Sequence, residues 1–214
     1  MAIRQGGLDC LCGVYAVINA TQIVIGKFKV DKNRKKRPCQ KRALFNDLVG
    51  YLAERNKLEK ALTVGITKID MRGGLLDIAI QSVRTYQQLE MRKQRAFNKG
   101  PVSLEQYWEK LTDHLSRDGT AVIIDISGRL EHWTCVKQIT PETLILADSS
   151  GIKLIRRQQC TIGPVEKGNY TLWPMKTYLL SVENKPPYIG GVVKRQEAHF
   201  INTSDSMLGI RETS

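Results

Sequence analysis

The chain has no uninterrupted apolar run near the ~18 residues that a membrane-spanning helix requires, so no membrane span is expected. Its first residues also lack the basic, apolar and small-residue pattern of a secretion signal. Cysteine is sparse: five residues, an odd and scattered set, which argues against a disulfide framework. Together these absences predict a reduced, cytoplasmic setting, in which a free thiol stays available for chemistry. No cofactor fingerprint is present, and Cys39 has no companion pair at metal-ligand spacing, so neither cofactor nor metal is expected. Aromatic residues make up only 7% of the chain, and no internal repeat or long low-complexity block occurs.

Acidic residues are also outnumbered: 21 Asp and Glu stand against 33 Lys and Arg, a formal net charge of +12. Much of that excess lies between Lys27 and Arg42, where Asp31 is the one acid. Such a run reads as a solvated loop, or as an electrostatic surface for an acidic protein or nucleic-acid partner. Phe28 alone is available there to stack on a base, which weakens the nucleic-acid reading. Otherwise the composition, 42% apolar and 25% charged in 214 residues, suits one globular domain with a sizeable core.

Periodicity divides this chain into a helical front and a strand-rich back. Apolar residues from Val14 to Ala20, then at Leu44, Leu48, Tyr51, Leu52 and Leu58, recur at helical spacing. Gly65 marks a break, and Asp70 is placed to cap a helix running through Leu75, Leu76, Ile80 and Val83. Leu89 to Arg92 reads as an edge strand, and Ser103 with Gln106 as a capping box for a helix through Tyr107, Trp108, Leu111 and Leu115. From Thr120 onward β-branched runs take over: 121–126, 132–136, 144–148, 152–155 and 177–182. The fold class expected is α+β, a helical N-terminal half packed on an antiparallel sheet. Pro186-Pro187, Gly190-Gly191 and the polar end read as an extended tail, so 1–183 is expected to be the domain and 184–214 the tail.

Chemistry concentrates in two places. Gln5 precedes Cys10 and Cys12-Gly13, and Cys12 opens the first helical pattern. A thiol at a helix N-terminus sits where unpaired N–H groups and the dipole favour an anion, and the thiolate is the nucleophilic form. Cys10 is the rival nucleophile, but it lacks the following glycine and the helix start. The second place is His132 and Asp148, sixteen residues apart and separated by the turn Thr140-Pro141-Glu142. An antiparallel hairpin would set the start of one strand beside the end of the next, where a carboxylate can orient an imidazole that faces the thiol. Asp125 is a weaker candidate for the same orienting role.

Gln5, Asp9, Cys12-Gly13-Val14-Tyr15-Ala16, His132-Trp133-Thr134 and Leu144-Ile145-Leu146-Ala147-Asp148 together resemble the papain-like cysteine peptidases, closest to the bacterial double-glycine leader peptidase branch. The resemblance implies a papain-like fold, Cys12 as nucleophile, His132 as general base and acid, Asp148 as orienting residue and Gln5 as oxyanion donor. Gln5 stands seven residues before Cys12 where that family has six, and Ser149 follows Asp148 where it has proline. The activity implied is cleavage of a peptide or isopeptide bond through a thioester. The same triad serves acyl transfer of the transglutaminase type, and a papain-like module can also serve binding alone, through the basic loop.

Overall fold

The computed structural model describes residues 10–26, 28 and 40–183. All of these residues fall in the first of two units, Met1–Asn184. The tail, Gln5, Cys39 and most of the basic run lie outside the described residues. Lys41 and Arg42, the end of that run, are already helical.

Helix and antiparallel sheet are mixed, as the α+β expectation requires. The first unit opens with α1 (Cys12–Ile25), α2 (Gln40–Glu54) and α3 (Leu58–Thr63), followed by α4 (Lys68–Asp70), a π-helical turn (Met71–Leu75) and α5 (Leu76–Gln87). Strand β1 (Glu90–Arg95) and α6 (Leu104–Leu115) lead into β2 (Thr120–Gly128), β3 (His132–Thr140), β4 (Thr143–Leu146) and β5 (Leu154–Arg156). Short strands β6 (Cys160–Ile162) and β7 (Tyr170–Leu172) precede β8 (Tyr178–Glu183). The sheet order is β1-β8-β2-β3-β4-β5, with β7 joined to β2 and β6 parallel to β7. Among the described residues no helix is long and apolar enough to cross a membrane.

Strand β2 explains the layering. Ala121 and Ile123 enter a core with α1, α2 and α5, whereas Val122, Ile124 and Ile126 enter a second core with α6. Side chains alternate across a strand, so a strand covered on both faces reads as an unbroken apolar run, as 121–126 does. Helix α1 is buried nearly all round, from Val14 to Val24, because it lies between the sheet and the other helices.

Several local expectations are met in detail. Ser103 and Gln106 form both bonds of the capping box, and β1 lies at the sheet edge. Others differ. Thr67, not Asp70, is the N-cap: its hydroxyl accepts from the Asp70 N–H, and Asp70 lies inside the first turn, bonded to Thr67 and Lys57. Thr-x-x-Asp is itself a capping pattern, and its hydroxyl outcompetes a carboxylate three residues later. Gly73 and Gly74 lie within this helical stretch. They sit in the π turn, where Gly74 lies against the Tyr51 ring with no room for a Cβ.

Gly128 ends β2 at φ +91°, and a Cβ there would come within 2.6 Å of the Asn169 carbonyl and 2.7 Å of the Glu166 carbonyl. Positive φ disfavours a side chain, and two backbone oxygens cannot yield as a flexible side chain can. Gly128→Ala is therefore expected to cost about 2–4 kcal/mol, the sum of left-handed strain and overpacking. Urea unfolding followed by circular dichroism measures this as a lowered midpoint at unchanged slope.

Candidate active site

Cys12 is the first residue of α1, with Leu11 at the N-cap offering no side-chain acceptor and no acid in the first turn. The helix thus presents its first N–H groups and positive dipole end at the thiol. Cys12 is 8% exposed, and its Sγ accepts the backbone N–H of Trp133 at 3.5 Å. Cys10 is held elsewhere. Its N–H donates to the Leu62 carbonyl and its thiol to the Thr63 carbonyl, which ties it to the end of α3.

His132 begins β3 and is buried. Its Nε2 meets Asp148 Oδ1 at 2.6 Å, and the thiol of Cys12, held by the N–H of the next residue, lies beside the ring. With Nε2 engaged, Nδ1 is the nitrogen left for the thiol. Burial by itself would lower the imidazole pKa. The bonds to Asp148 and Cys12 outweigh it and raise the value to about 9. The protonated ring is thus the favoured form at neutral pH.

Asp148 has a wholly buried side chain, and each of its oxygens is saturated. Oδ1 also accepts the Thr134 hydroxyl at 2.7 Å, while Oδ2 accepts the N–H and hydroxyl of Ser150 and the N–H of Ile152. Burial pushes its pKa up, but hydrogen bonds from His132, Ser150 and Thr134 hold it well below the usual carboxylate range. Asp125 does not share this role. It pairs with Lys176, and burial raises its pKa.

The meeting of His132 and Asp148 depends on one irregularity. The hairpin pairs Thr140 with Thr143 and Gln138 with Ile145, but then Val136 with Leu146, so Lys137 is an extra residue on β3. Without it, Asp148 would fall opposite Cys135 and face away from His132. With it, Asp148 lies opposite Thr134, two residues from His132 and on the same face, because a one-residue slip reverses every side chain. Helix α1 braces the same segment: the Asn19 amide donates to the Ala147 carbonyl at 3.1 Å, and Ala147 N–H donates to Cys135.

Gly13 is a packing residue, since a Cβ there would strike Ile66 and crowd Met71. Ile66 also accepts the Trp133 indole N–H, at 2.8 Å, through its carbonyl. Thr134 and Ser150 were not among the expected site residues. Thr134 was findable as the residue two beyond His132 on a strand, and Ser150 from the turn-forming habit of Asp-Ser-Ser. Among the described residues no cluster suited to a metal ion is found. The hollow between α2 and α5, about 600 Å³ and lined by Asp47, Tyr51 and Tyr86, contains none of these groups.

Comparison with protein-family models, curated proteins and solved structures returned no match.

Because the folded-state pKa of Asp148 lies below its ordinary 3.8, the folded protein binds fewer protons than the unfolded chain in that range. The contribution is therefore complete above about pH 4 and lost as pH falls toward the folded value. Asp148→Asn is expected to lower stability at pH 6 and to flatten its decline between about pH 4 and 2, as read from urea midpoints at each pH.

Proposed function

We propose that the chain is a papain-like cysteine peptidase that cleaves a peptide or isopeptide bond. The observation that carries this reading is the convergence of a helix-terminal thiol, Cys12, on an imidazole whose other nitrogen is held by a saturated carboxylate. A protonated imidazole beside a thiol at a helix N-terminus favours the thiolate, which is the attacking form.

In the proposed reaction Cys12 Sγ adds to the scissile carbonyl carbon and the carbonyl electrons move onto oxygen. The Cys12 N–H, and Gln5 by resemblance, donate to that oxyanion. Collapse of the adduct breaks the C–N bond, and the leaving amine takes the proton from His132. Water then attacks the thioester, His132 accepts its proton, and the carboxylic acid leaves as Cys12 returns to thiolate. Asp148 holds the imidazole in the one orientation that serves both transfers. The basic run Lys27–Arg42 is proposed as a surface for an acidic partner, and a reducing, cytoplasmic compartment as the setting that keeps Cys12 active.

Iodoacetamide labelling against pH, mapped by peptide mass, tests the reading in wild type and His132→Ala. Rapid labelling of Cys12 below pH 7, slowed at least about tenfold in the variant, is the expected result. Cys135 and Cys160 serve as internal controls, since burial pushes both thiols up, Cys160 to about 12. Uniformly slow labelling of all cysteines with ordinary thiol pH dependence would overturn the proposal, and labelling at Cys10 would relocate the nucleophile.

A further inference from the structure

Next to the thiol, the Trp133 ring stacks on Tyr178 with centroids 6.1 Å apart. The Tyr178 hydroxyl donates to the Lys68 carbonyl at 3.1 Å, which joins the sheet to the start of α4. Two arginines lie beside this phenol, and Lys93, two residues before Arg95 on the same face of β1, reaches the Arg72 carbonyl and so brings their backbones together. Arg95 is paired with Tyr178 in the β1–β8 ladder, and Arg72 comes from the π turn. Both act electrostatically on Tyr178, opposing the upward effect of its burial.

Neither arginine has a carboxylate among the described residues. The cations around them do: Lys93 pairs with Asp77 and also bonds the Arg72 carbonyl, and Lys176 pairs with Asp125. Arg95 Nε is buried with no hydrogen-bond partner. A buried donor left unpaired carries a desolvation cost, and two like charges at one phenol repel. Both costs are relieved by an anion placed between the two forks. Guanidinium geometry matches a carboxylate through paired N–H donors. The π turn that presents Arg72 is an uncommon backbone state, of a kind found often at functional sites.

We infer that Arg72 and Arg95 form a subsite for a carboxylate of the substrate, so that the proposed peptidase takes a peptide with an acidic side chain a few residues from the scissile bond. The inference rests on the peptidase reading above. The subsite lies beyond the Trp133–Tyr178 stack from the Trp133 N–H that touches Cys12, so the test samples successive positions of an extended peptide, roughly 3.3 Å apart.

The test uses short peptides carrying an electrophile at the C-terminus (vinyl sulfone) or the N-terminus (chloroacetyl). Members of each pair are identical except for Glu or Gln at the second, third or fourth position from the electrophile. The rate of Cys12 labelling is followed by mass, beside the rate with iodoacetamide. At one position the Glu peptide is expected to react on the order of tenfold faster than its Gln partner, the worth of one charge-assisted contact. That preference should shrink with salt and fall to near unity in Arg95→Gln and Arg72→Gln, at unchanged iodoacetamide rate. Arg95→Lys, which keeps the charge but loses the fork, should retain part of it. A Glu-to-Gln ratio near one at every position in wild type, or a preference that survives both Gln variants, overturns the subsite and leaves the peptidase reading standing. A slow iodoacetamide reaction in wild type overturns both.

Discussion

The register of the β3–β4 hairpin is the constraint on which the site depends. Its two-residue connection, Pro141-Glu142, fixes the pairing at the turn end. That pairing, run unbroken to the other end, would turn Asp148 away from His132. The single extra residue at Lys137 corrects the facing. It is accommodated where the strand is exposed, since Lys137 and Gln138 both face solvent. Beyond the bulge, Asn19 of α1 grips Ala147, so the helix that supplies the thiol also fixes the segment that supplies the carboxylate. Thiol and carboxylate are therefore referenced to one rigid, buried rod.

Burying an imidazole and a carboxylate is costly unless every polar atom is answered. Here the answer comes from neighbours of little sequence prominence. Thr134 completes Oδ1, while Ser150 and the Ile152 N–H complete Oδ2. The consequence is directional as well as energetic. A carboxylate fixed by four other donors cannot rotate to follow the imidazole, so the imidazole must conform to it. Asp125, opposite Trp133 on the neighbouring strand, shows the alternative. Its charge is spent on Lys176, which leaves it unable to orient His132.

Much of this was legible in the sequence because it is local. The capping box at Ser103, the apolar run of β2, and the hairpin around Thr140 each depend on residues a few places apart. The order of Cys12, His132 and Asp148 was readable for the same reason: each lies at an element boundary that periodicity exposes. What escaped was non-local or atypical. A π turn carrying two glycines reads only as a weakened first helical turn unless the Tyr51 ring that needs Gly74 is known. Parallel β6 and β7 are three residues each, too short for alternation to register, and they exist because β7 adds to the end of β2. The bulge left no signature, since Lys137-Gln138 reads equally well as the polar margin of a regular strand.

The scaffold and the chemistry are separable in a way that bears on how the site can be altered. The sheet is covered on both faces, by α1, α2 and α5 on one side and α6 on the other, so its stability comes from two apolar cores. The polar groups gather instead where β2 and β3 end and Trp133 meets Tyr178 and the Ile66–Lys68 segment through indole and phenol hydrogen bonds. That seam joins the helical half to the sheet through these hydrogen bonds as well as through the apolar core that Ile66, Trp133 and Tyr178 share. Charges placed along it, Arg72 and Arg95 among them, face a junction held by two aromatic rings and backbone carbonyls. Changing those charges alters what the seam attracts while the hydrogen bonds that close it, made by other atoms, stay in place.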